Sequence, residues 1–248
     1  MKKKIKKNSI DEPVPLLVHL SELRKRIIHS LIAIILCSII MWPFMNKVLE
    51  SLARPLGKLV FISPFEAFWI RIKLSFFLGL ILSLPFVLFQ IWNFIQKGLL
   101  PREKRFILPL TISSLFLFYL GGLFAYFLIL PVGMKFLLSY GSETLVPMIS
   151  VSRYLSFLLC LVFSFGLIFE LPLVVGFLTS FGILKSDGLK RNRKVAILGI
   201  FIAAAALTPG PDIFSQLLLA VPLLILYEIG ILVSKFIERR RCGKNRST

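Results

Sequence analysis

The chain has 248 residues, 57% of them hydrophobic and only 17% charged, with 24 Phe against 5 Tyr and 3 Trp. Soluble domains carry roughly 25% charged residues, so an ordinary soluble globule, a disordered chain and a disulfide scaffold are all excluded. The net charge of +18 would point to nucleic acid in a soluble protein. Here no base-reading or stacking module accompanies it, and in a membrane protein Lys and Arg instead orient the loops.

Six apolar runs follow one another. A hydrocarbon core of ~30 Å needs ~20 helical residues. Ile27–Met45 (19 residues), Leu74–Ile95 (22) and Phe106–Met134 (29) carry no charge within them. Tyr154–Leu184 has 31 residues and one charge, Glu170, and Ile213–Ser234 has 22 and one charge, Glu228. Val195–Pro211 has 17, but Thr208-Pro209-Gly210-Pro211 at its end leaves 14 good helix residues, up to and including Thr208. The expected fold is an all-α integral membrane protein with six transmembrane helices, the last two short. Residues 1–26 form a basic tail with an amphipathic segment, 27–234 the membrane domain, and 235–248 a second basic tail. The first apolar run begins only at Ile27 and lacks a small-x-small cleavage site, so it reads as a retained span. Of the 30 basic residues, 23 fall in the N-terminal segment, the loops 97–105 and 185–194, and the C-terminal tail. That bias, with an even number of spans, puts both termini in the cytoplasm.

Candidate chemistry is sparse. His19 and His29 are the two histidines, and neither HExxH nor GxSxG occurs. The three cysteines (Cys37, Cys160, Cys242) have no CxxC spacing. No catalytic residue, metal site or cofactor is expected. Leu16, Leu20, Leu23 and Ile27 recur at helical spacing, so an interfacial helix runs into the first span. Within it Glu22 either pairs with Arg26 at i,i+4 or offers a carboxylate to a guest cation. Glu170 sits two residues before Pro172, which predicts a kinked helix with a polar notch. It reads either as a neutral acid bonded to a neighbouring helix or as a proton relay. Pro85, in mid-span, reads as a second kink. Glu228 snorkels or pairs with Lys235.

A series of short motifs then falls in order. His19-Leu20-x-Glu22-Leu23-Arg24-x-Arg26 opens it. Pro55-Leu56 and Ser63-Pro64-Phe65-Glu66-Ala67-Phe68 follow in the first outer loop. Leu99-x-x-x-Glu103-x-Arg105 comes after Phe94 in the first inner loop. Phe118-Tyr119-x-Gly121 and Ala125-Tyr126-Phe127 lie in span three, Phe169-Glu170-x-Pro172 in span four, and Leu207-Thr208-Pro209, Asp212 and Gln216 around the last outer turn. Together they resemble the TatC family, the polytopic signal-peptide receptor of the twin-arginine protein translocase, over about residues 15–238.

The resemblance implies a non-enzymatic receptor in the bacterial inner membrane, working with TatA-like and TatB-like single-span proteins as a homo-oligomer and driven by the proton gradient. It implies that Leu20, Glu22, Arg24, Phe94, Leu99 and Glu103 contact the twin-arginine peptide. Pro55, Pro64, Glu66, Phe68, Pro85, Phe118, Tyr126, Glu170, Pro172, Asp212 and Gln216 then serve structure, partner contact or transport. A carboxylate suits that guest, because it accepts the planar fork of an arginine bidentately. Glu103 could instead pair with Arg102 or Arg105. The alternative function is a proton-coupled transporter centred on Glu170.

Overall fold

A computed structural model describes residues 16–53, 60, 63–95, 107–139, 149–207 and 213–244. Among them the only β pairing is an isolated bridge between Val60 and Ser150. Helix α1 spans Leu16–Met41 as one continuous rod, so the amphipathic segment and the first span form a single element. Pro43 then tightens the chain into a 3-10 turn, Trp42–Phe44, and a short helix α2 (Met45–Ala53) follows. Helix α3 covers Pro64–Ile95, with proline at its first position, where a missing N–H costs nothing.

Helix α4 (Ile107–Phe124) passes through a π turn, Ala125–Ile129, into α5 (Leu130–Leu138). Pro131 sits at the start of α5 and cannot donate to the turn before it, and the widened turn absorbs that loss. Helices α6 (Val151–Phe169) and α7 (Leu171–Ser180) are separated by Glu170 alone. Helices α8 (Ser186–Arg191), α9 (Arg193–Leu207) and α10 (Ile213–Lys244) complete the chain.

Among the described residues five helical stretches are long and apolar enough to cross a membrane: Leu20–Leu52, Pro64–Ile95, Ile107–Leu138, Val151–Ser180 and Gln216–Arg240. The fifth of the six expected spans is α9, and its 15 residues reach only ~22 Å at ~1.5 Å each. The last span departs from expectation. It is not short: α10 has 32 residues and continues ten past Ser234 into the basic tail. A tertiary contact holds that extension: Glu238 accepts hydrogen bonds from the backbone N–H and the hydroxyl of Ser186, while within the helix the Arg240 guanidinium lies 4.3 Å over the Phe236 ring.

Cross-helix contacts set the directions. Arg26 meets Gln90 while Ser38 meets Ser75, so α1 and α3 are antiparallel. Glu66 meets Ser150 and Lys73 meets Ser156, so α3 and α6 run parallel. Val175 lies against Gly230 and Thr179 against Ser234, so α7 and α10 run parallel. The start of α1 and the end of α10 therefore lie at one end of the bundle, here the terminal end.

Small residues allow these approaches, as expected where lipid removes the hydrophobic drive between helices. A Cβ on Gly79 would sit 2.1 Å from the Ser38 hydroxyl and 2.6 Å from its backbone nitrogen. One on Gly121 would sit 2.5 Å from the Phe165 carbonyl oxygen. The buried centre joins Ile70, Leu155, Leu158, Leu161, Phe165, Ala204, Ala220 and Leu223. Outward positions such as Ile39, Phe116 and Leu198 stay exposed, the face a bilayer covers.

Candidate functional site

At the terminal end the Arg26 guanidinium donates to the Gln90 backbone carbonyl at 3.1 Å and to its side-chain oxygen at 3.4 Å. Carried one helical turn outward, that antiparallel register sets Glu22 level with Phe94. Leu20 and Arg24 are exposed on α1, while Glu22 and Phe94 are half-buried. Glu22 and Phe94 are thus level along the α1–α3 seam, whereas Leu20 and Arg24, each two residues from Glu22, lie on the exposed face of α1. Leu99 and Glu103 lie outside the described residues, as do Pro55 and Asp212. The sequence could not reveal Gln90, because its partner is 64 positions away.

Deeper in the bundle, Ser114 on α4 donates to Glu170 Oε1 at 2.8 Å. Ser114 is 1% exposed, so this carboxylate faces protein, as a membrane carboxylate must. The proline expected to kink the helix here breaks it: α6 ends at Phe169, Glu170 forms the joint, and Pro172 opens α7. Ser114 lies about seven residues from the start of α4, ~10 Å below the terminal end.

Pro85 behaves differently. Helix α3 continues through it. Proline has no N–H for the carbonyl four residues back, which is Ile81. The Tyr119 hydroxyl donates to that carbonyl at 2.8 Å and takes the missing donor's place. Phe118, beside it, is buried and packs edge-on to Phe163.

At the opposite end Glu66 bridges α3 to α6. Its Oε1 accepts from the Ser152 backbone N–H at 2.9 Å and from the Ser150 hydroxyl. Ser150 caps α6, so the carboxylate sits at the positive end of that helix. Pro64 and Phe68 are exposed near the start of α3, and Tyr126 is half-buried in the π turn. Gln216 donates to the Phe201 carbonyl at 3.1 Å and ties α10 to the short α9. Glu228 is corrected: its partner is Arg193 at 2.7 Å, not Lys235. Arg193 opens α9, so this exposed pair joins the start of α9 to the middle of α10. Tyr227, beside it, donates to the Leu189 carbonyl at 2.8 Å.

Among the described residues no cluster of His, Cys, Asp and Glu could hold a metal ion. A family model described as Sec-independent protein translocase protein (TatC) matches residues 18–222. A protein of that name from Carboxydothermus hydrogenoformans is 45% identical over 240 residues, covering 95% of this chain and 99% of its own length. Its counterpart in Escherichia coli K12 is 37% identical over 245 residues, covering 96% and 94%. A crystal structure of the twin arginine translocase receptor TatC superposes with a TM-score of 0.80 at 41% identity, covering 89% of this chain and 99% of the other. On this evidence the chain is a multi-pass bacterial membrane protein that belongs to the TatC family, a core component of the twin-arginine protein translocase.

Proposed function

We propose that this chain is the subunit that receives twin-arginine signal peptides, and that the α1–α3 edge at the terminal end is where it does so. The observation that carries the reading is the register fixed by Arg26 and Gln90, which sets Glu22 level with Phe94. A carboxylate beside an aromatic side chain suits a peptide with an arginine pair next to an apolar stretch. The carboxylate accepts a guanidinium fork, and the ring covers its methylene stem or the next apolar residue. Leu99 and Glu103, which lie outside the described residues, belong to the same contact set by the resemblance to the family. The surrounding net charge is positive and repels a cationic peptide over about 8 Å, so recognition falls to local acids.

Both termini lie in the cytoplasm, the side where 23 of the 30 basic residues collect. TatA-like and TatB-like single-span proteins, and further copies of this chain, complete the translocase that exports folded cargo. The family assignment leaves the proton-coupled transporter without support.

The deciding experiment is photo-crosslinking of the protein in membranes to a twin-arginine signal peptide, with a twin-lysine peptide as control. Probes at Leu20 and Phe94 should capture the first and not the second. Equal capture of both peptides, or capture only from the opposite end of the bundle, rejects the reading.

A further inference from the structure

The break at Glu170 has a consequence for the helices on either side of it. Above it, α4 and α6 touch so closely that Gly121 has no room for a Cβ against Phe165. The Ser114–Glu170 hydrogen bond is the last link of that seam. Below it, α7 departs to α10, where Thr179 donates to Ser234 at 2.9 Å and Gly176 approaches Val233. Helix α4 does not follow. The divergence opens a wedge of about 450 Å³. Pro109 and Ser113 form one wall, Pro172 and Phe177 the second, Val233 and Ile237 the third. Its lining runs from Pro172, next to Glu170, to Phe181 and Ile237 toward the terminal end.

We propose that this wedge is a binding site for one acyl chain of an anionic phospholipid from the leaflet at the terminal end. Three observations select that occupant. The walls are mainly apolar, with Ser113 and Ser180 the only polar side chains on them, so water gains few partners in the space. The neighbouring α4 positions Leu108 and Ile112 are 63% and 60% exposed, so the wedge opens sideways where lipid is the solvent. The third is charge. Arg240 lies one turn beyond Ile237 on the same face of α10, ~4.5 Å further along the axis. It is exposed, with its guanidinium over the Phe236 ring, one turn past the last wedge-lining residue of α10. A basic rim over an apolar slot is the arrangement that holds an anionic lipid.

A natural reporter is in place. Trp92 on α3 is buried and packs edge-on against Phe177, ring centroids 5.1 Å apart. The other tryptophans, Trp42 and Trp69, sit at the opposite end. The experiment uses the full chain with Trp42→Phe and Trp69→Phe, in phosphatidylcholine vesicles containing a minor fraction of acyl-brominated lipid. Brominated phosphatidylglycerol should quench Trp92 at a membrane fraction about fivefold lower than brominated phosphatidylcholine requires, the effect of one cationic side chain on an anionic lipid. Arg240→Gln should remove that preference, and Ser113→Phe, which fills the wedge, should reduce quenching by both lipids. Equal quenching by the two lipids would overturn the proposal. So would a preference unchanged by Arg240→Gln, or quenching unaffected by Ser113→Phe.

Discussion

Replacing Tyr119 with Phe removes one oxygen atom, and the structure says what that atom does. The Ile81 carbonyl has lost its helical donor to Pro85, and the Tyr119 hydroxyl is the replacement at 2.8 Å. In Tyr119→Phe that carbonyl is left without its donor inside a bilayer. An unsatisfied backbone group in hydrocarbon costs several kcal/mol, yet measured hydrogen bonds between membrane helices average ~0.6 and reach ~1.7 kcal/mol. Tyr119 is only half-buried, so about 1–1.5 kcal/mol is expected, within that measured range. The decisive control is Pro85→Ala, which restores an N–H at position 85 and with it the helical bond to Ile81. In that background Tyr119→Phe should cost less than about 0.5 kcal/mol, leaving a coupling of ~1 kcal/mol in the double-mutant cycle. Reversible unfolding in bicelles reads all four proteins. An equal cost of Tyr119→Phe in both backgrounds would refute the account of how α3 tolerates its proline.

Three further outcomes are expected. Glu22→Ala and Glu103→Ala should each weaken signal-peptide binding by ~1.5–3 kcal/mol, the range for a hydrogen bond to a charged group; titration calorimetry on the detergent-solubilised protein reads this, and normal binding by the double variant removes both from the site. A cysteine replacing Lys190 should react only with reagents admitted to the cytoplasm, and one replacing Gly141 only from outside; reversed labelling rejects the assigned orientation. Glu170→Gln should retain export, because the amide still accepts from Ser114, whereas Glu170→Leu should impair export and leave peptide crosslinking intact; loss of export in a folded Glu170→Gln protein assigns that carboxylate a proton-carrying role.

The parts of this fold legible in the sequence are those that depend on local composition. Apolar run length marks the spans, and Thr208-Pro209-Gly210-Pro211 announces that α9 will be short. Features that need a distant partner are hidden. Pro85 and Pro172 look alike in sequence, each within an apolar run. One is carried inside a continuous helix because Tyr119, 34 positions on, supplies a donor; the other breaks its helix at Glu170. The basic run after Lys235 reads as a tail because charge ends an apolar count. Lys and Arg are nonetheless good helix formers, and Glu238 finds the start of α8. Glu228 had a plausible cation seven residues away and pairs instead with Arg193, 35 positions back. The candidate receptor surface was legible as a motif on α1, but its closeness to Phe94 required the α1–α3 register.

That register also explains why a receptor surface should lie on α1 at all. The main packing partner of α1 among the described residues is α3. Ile27, Leu31, Ile35 and Ile39 and their neighbours remain exposed around most of its circumference. A helix held along one seam, by Gly79 against Ser38 in the middle and Arg26 against Gln90 near the end, forms the margin of the bundle. Polar links fasten other helices to one another: Glu66 ties α3 to α6, Gln216 and Glu228 tie α10 to α9, and Glu238 ties it to α8. On the proposed reading, a peptide arriving along the membrane surface would therefore reach Glu22 and Phe94 without parting any of those links. It needs only to settle beside an edge already open to lipid on one flank and to water at its end. On the proposed reading, binding there would proceed on a rigid body, with the Glu22 carboxylate offsetting the desolvation of an arginine.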